Sequence, residues 1–228
     1  MINPIGFIIT ILYFKIGERI KKYSIFKNVP PVVIAGILLI ITLQNFNINF
    51  ETYNESASFL TFMLLPATIA LGYPIYKNIE LLKHNKRIIF IAFFVAILVA
   101  VFGTYIVAKL CNTDLIILES MLPKSVTAPI AVEISKSIGA IPEFTACMVV
   151  LTGVFGALFG HKILKIFNIK NDIAIGLSIG ATSHVIGTAK CIELNHEKQI
   201  VMASVAFVIV GVITSIIIPL FIFLLNTK

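Results

Sequence analysis

Residues 181–190, ATSHVIGTAK, gather Thr182, Ser183, His184 and Thr188 around Gly187 in a chain that is otherwise almost wholly apolar. A second polar stretch, LPKSVTAPIAVE at 122–133, sets Lys124 beside Ser125 and Thr127, just ahead of Pro129. A cation, hydroxyls, an imidazole that titrates near neutral pH and a glycine that admits backbone to a ligand form a set suited to a small carboxylate. His184 and Glu133 are the candidate proton carriers. If the helices that carry these residues are interrupted, their free N–H groups add about half a positive charge at each break.

Every one of these residues also has a packing role open to it. Lys124 can snorkel to a membrane interface, and His184 can be a hydrogen-bonded core residue. Glu133 and Lys136 have the spacing of a surface ion pair; Thr182, Ser183 and Thr188 can bond back to their own helix. Gly176 and Gly180 form a small-xxx-small face. Gly176-Leu-Ser178-Ile-Gly180 also spells the nucleophile elbow of serine hydrolases, but no strand precedes it. Ser178 and His184 would stand about 600° apart around a helix, so no enzymatic reaction is expected.

The elements that must position these groups are membrane helices. Hydrophobic residues make up 58% of the 228, and mean hydropathy is +1.01, far above a soluble domain. Runs near the roughly 20 apolar residues that cross a bilayer fall at about 2–20, 29–46, 59–76, 88–108, 115–135, 144–164, 173–190 and 200–225. Residues 1–14 lack the basic start of a cleaved leader and are expected to be retained. Cys111, Cys147 and Cys191 have no disulfide or metal-ligand spacing and read as small core residues. No cofactor or metal is expected.

The net charge of +7 is topological. Basic residues cluster at 15–29, 77–87 and 161–172, which the positive-inside rule assigns to the cytoplasm; no nucleic-acid partner is implied. A shift of 114 residues lays 29–46 on 143–160, 59–76 on 173–190 and 88–108 on 202–222, with Ala67-Thr68 falling on Ala181-Thr182. Basic loops fall on Lys-poor ones, so the halves read as inverted repeats, about 1–114 and 115–228, within one transmembrane domain over 1–228. Such repeats with broken helices are the architecture of many secondary transporters.

Inversion requires an odd number of crossings per half, and 115–135 is the best candidate for a segment that does not cross. Pro123 and Pro129 lie within it, and proline breaks a helix by removing a hydrogen bond and clashing with the preceding turn. Pro66 and Pro74 mark a second break in 59–76. Thr68, matched to Thr182, joins the candidate ligand-binding set.

LPKSVTAPIAVEISKSIGAIPE (122–143), GVFGALFGHKILK (153–165) and GLSIGATSHVIGTAKCIELN (176–195) resemble the LrgB/CidB family of bacterial membrane proteins, along nearly the whole chain. The resemblance implies a multi-pass plasma-membrane protein, described as antiholin-like or as a modulator of autolysis, with a smaller LrgA/CidA-like partner. It also implies transport of small monocarboxylates such as pyruvate, glycolate or lactate. The implied fold is similar to the cation/proton antiporter and bile-acid symporter group, with crossed broken helices in a core that moves against a scaffold, and a homodimer is expected. The signature maps onto Lys124, Ser125, Thr127, Pro129, Ser183, His184, Gly187 and Thr188; Ala128 stands where relatives often have a threonine. Two functions follow: an elevator-like transporter, or a regulator of holin-like partners that moves nothing itself. The polar groups at the breaks favour transport, because burying them unpaired costs several kcal/mol each.

Overall fold

A computed structural model describes residues 4–23, 29–70 and 72–226, and every regular element in them is helical. The chain divides after Tyr73 into two compact units. The first holds α1 (Ile5–Ile20), α2 (Pro31–Asn45), α3 (Phe50–Ser56) and α4 (Ser58–Ala70). α1 and α2 lie antiparallel: Gly17 meets Pro31, and the Tyr13 and Thr42 hydroxyls are 2.6 Å apart. Pro66 lies inside α4 and does not end it; the lost hydrogen bond is tolerable in a membrane helix. The side chains of Thr68 and Pro74 lie outside the described residues. α5 (Gly72–Lys77) straddles the boundary.

The second unit contains α6 (Ile79–His84), α7 (Lys86–Leu110), α8 (Leu115–Met121), a 3-10 turn (Leu122–Ser125), α9 (Ala128–Ser137), α10 (Pro142–Ile166), α11 (Asp172–Glu193) and α12 (Glu197–Asn226). Among the described residues, α7, α10 and α12 are the helices long and apolar enough to cross a membrane. They expose large side chains such as Phe90, Phe94, Leu151, Phe155, Ile216 and Phe223 along their length, as helices bathed in lipid do. Cys191 is buried as expected, whereas Cys111 and Cys147 are exposed, because Cys111 lies in the turn after α7 and Cys147 on an outward face of α10.

Residues 115–137 double back. Thr145 Oγ1, in the first turn of α10, lies 2.8 Å from the Ser120 carbonyl and 2.9 Å from Ser135 Oγ. A straight helix would hold residues 120 and 135 about 22 Å apart. The Ile141 amide also donates to Ser120 Oγ at 2.9 Å. The prolines act as the sequence indicates: Pro123 opens the 3-10 turn, and Pro129 sits in the first turn of α9, where a missing N–H costs nothing.

α11 doubles back as well, although the sequence reads 173–190 as one span. His184 turns it, at φ 42° and ψ −136°. Asp172, at the start of α11, accepts a 2.7 Å hydrogen bond from Gln199, six residues beyond its end. A straight helix over 172–193 would be about 33 Å long, and six residues reach only about 21 Å. The outgoing arm (172–183) lies against α12, where a Cβ on Gly176 would be 2.6 Å from the Gln199 carbonyl and one on Gly180 2.6 Å from Ala203 Cα. The returning arm (185–193) comes back beside it, with Gly187 against Ile179.

Hairpin one therefore enters where α7 ends and α10 begins; hairpin two enters where α10 ends and α12 begins. α10 is a continuous helix of 25 residues, about 37 Å long, so the hairpins come from opposite ends of it. α7 runs alongside the outgoing arm, sharing with it a groove of about 670 Å³ between Ile88–Val99 of α7 and 174–182. α7 and α12 thus point the same way, so the opposed sense expected for 88–108 and 202–222 is not found: the turn at His184 removes one crossing and changes the parity. The opposed pair in this unit is α10 against α12, each preceded by a hairpin.

Candidate functional site

The tip of hairpin one is the 3-10 turn followed by two extended residues, Val126 and Thr127. Thr127 occupies the N-cap of α9 without bonding its side chain to the helix, so the first N–H groups of α9 and its positive dipole end stay open. Lys124 donates to Thr104 Oγ1 on α7. Among the described residues no carboxylate pairs with Lys124, and the hydroxyls of buried Ser125 and of Thr127 bond to nothing. This tip packs against α7, α10, α11 and α12.

The tip of hairpin two is built by α10. His184 is 3% exposed, and its Nε2 lies 3.0 Å from the Val149 carbonyl. A Cβ on Gly153 would stand 2.7 Å from His184 Cε1, and one on Gly156 would collide with Ser183 Oγ. These two glycines form a slot for Ser183 and His184. The positive φ of a histidine costs on the order of 1–3 kcal/mol and persists only where surroundings dictate it; slot and hydrogen bond supply that. Thr188 donates to the His184 carbonyl at 2.9 Å, and the returning arm presents a second helix N-terminus at this tip. The ring is committed to Val149, and no hydrogen bond links it to Ser178, so the hydrolase-like motif has no working pair.

The structure gathers Lys124, Ser125 and Thr127 at one tip and Ser183, His184, Gly187 and Thr188 at the other, and the first tip touches α11. Thr182 sits at the edge of this set: it is exposed on the outgoing arm, donates to Ser178 O at 2.8 Å, lies 3.2 Å from Ser183 Oγ and lines the α7 groove. Glu133 is exposed on α9 and paired with Lys136 at 2.8 Å, away from the tips. The base of hairpin two carries a further polar chain, in which Gln199 Nε2 donates to Asp172 and Gln199 Oε1 lies 3.0 Å from His161 Nε2. His161 Nδ1 is buried without a partner.

Sequence reasoning missed Thr104, the Ser120–Ser135–Thr145 cluster and the glycine slot. The slot had a signal, since Gly153, Gly156 and Gly160 fall on one face of α10, each against the second hairpin. The hydroxyls had none: a threonine within an apolar run ordinarily bonds its own helix.

The arrangement matches known proteins at the level of sequence. The match to the LrgB-like family spans residues 10–224. The chain belongs to that family. It is 38% identical over 217 residues to the antiholin-like protein LrgB of Bacillus mycoides (strain KBAB4), covering 95% of this chain and 94% of that one. It is 37% identical, with the same coverage, to the antiholin-like protein LrgB of Bacillus cereus (strain B4264) and of Bacillus anthracis (strain CDC 684 / NRRL 3495). No solved structure matches. Family membership and the three long apolar helices mark the chain as a membrane protein.

Proposed function

We propose that this chain is a secondary transporter of small monocarboxylates such as pyruvate, glycolate or lactate in a bacterial plasma membrane. One observation supports the reading: hairpins enter from opposite ends of α10, the tip of the first packs against α11 of the second, and that tip holds a lysine with no carboxylate partner among the described residues. Two helix N-termini, Lys124 and the open hydroxyls of Ser125 and Thr127 form a site that an anion completes. A hairpin from each end of α10 supports alternating access, in which the site opens to one face at a time. His184 is the proton carrier of this reading and Glu133 is not, because Glu133 is exposed and paired.

The basic loops 77–87 and 161–172 lie on one side, since α7 and α10 cross in opposite senses with a returning hairpin between them. By the positive-inside rule their charge supports a cytoplasmic side, and the charge of 15–29 supports the same assignment for that loop. Elevator-like movement and a homodimer complete the reading: a 25.1 kDa chain must supply both a moving part and a frame.

Proteoliposomes holding the purified protein should take up labelled pyruvate with saturation, and Lys124→Ala and His184→Ala should each abolish it. Absence of flux for every small carboxylate, with or without an LrgA/CidA-like partner, overturns the proposal. The names of the relatives favour a second reading, an antiholin-like regulator linked to autolysis. It predicts partner-dependent control of murein hydrolase release by a protein that moves no carboxylate.

A further inference from the structure

Thr104 lies on the face of α7 that meets hairpin one and is 7% exposed. Its hydroxyl proton goes to the Ala100 carbonyl, 2.5 Å away. The oxygen therefore has only acceptor capacity left, and Lys124 donates into it. An ammonium has three donors; Thr104 takes one, and no carboxylate among the described residues takes the other two. Lysine carries its charge on a flexible stem of four carbons, so without an anchor the ammonium would wander away from the tip.

We propose that Thr104 is a positioning residue for the Lys124 ammonium, holding it at the tip so that its remaining donors meet a bound carboxylate together with the Ser125 and Thr127 hydroxyls. This rests on the carboxylate-transport reading, so its test includes a measurement that needs no transport. Thr104→Val keeps the shape and removes the acceptor; Thr104→Ser keeps the acceptor. Carbamylation of Lys124 by cyanate, followed by peptide mass spectrometry on the purified full chain, should run several-fold faster in Thr104→Val and at the wild-type rate in Thr104→Ser. In proteoliposomes Thr104→Val should raise KM for pyruvate about tenfold, the expectation for a hydrogen bond to a charged group, with Vmax retained; Thr104→Ser should restore KM.

An unchanged carbamylation rate in Thr104→Val overturns the positioning role, as does an unchanged KM beside a raised rate. A raised rate in a protein whose wild type carries no pyruvate leaves Thr104 as the anchor of Lys124 and defeats the transport reading instead. Loss of the melting transition in both variants would mean that Thr104 serves the fold alone, and also overturns the proposal.

Discussion

The two hairpins solve one problem by different means. Hairpin one turns through its own prolines, Pro123 starting a 3-10 turn and Pro129 the returning helix, and Thr145 from the first turn of α10 then ties the two arms together. Hairpin two contains no proline, and its turn rests on a single strained residue, His184, seated in a slot cut by two glycines of another helix. A turn built from breakers is local and would be attempted by the isolated segment. A turn imposed by a neighbour exists only once α10 is in place, so its stability is a property of packing.

That contrast can be broken most forcefully at the slot. Gly156→Leu should cost several kcal/mol, more than ordinary overpacking, because its Cβ would collide with Ser183 Oγ. In detergent it should lower the melting temperature sharply or prevent recovery of folded protein. Gly103→Leu, with nothing within 4 Å of its added Cβ, should behave as wild type; equal loss in the two would show that the slot has no special role.

Thr145→Val should cost less, about 1–3 kcal/mol, the penalty for leaving buried partners unsatisfied, since Ser120 O and Ser135 Oγ both lose a neighbour. Hydrogen exchange should rise at 115–137 and stay constant at 172–193. Exchange that rises equally in both hairpins would mean that they are not independent turns.

The smallest and sharpest comparison is His184→Gly against His184→Ala. Both lose the Val149 hydrogen bond, but glycine accepts φ 42° and alanine does not. The glycine variant should therefore be the more stable by about 1 kcal/mol, read as a higher melting temperature. The reverse order would mean that the turn is not strained.

How much was legible follows the same division. Long apolar runs gave α7, α10 and α12, and prolines beside a lysine gave hairpin one and its tip. The fold-back at His184 was hidden because GATSHVIGT, though polar, contains no proline to break the helix; the cause lies about 30 residues earlier, in GVFG at 153–156. Thr104 and Thr145 were equally silent, since their partners are far along the chain. The hydroxyl and imidazole residues were picked out by type, and their division between two tips emerged only from the backbone path.

Gly176 and Gly180 give the second hairpin a mechanical character of its own. Over two successive turns the main chain of its outgoing arm packs closely against the main chain of α12 at Gln199 and Ala203. Surfaces keyed this closely resist slippage, so the depth of the His184 turn is fixed by the seating of the last helix. Tugging or tilting that helix at its far terminus would act as a lever on the buried imidazole.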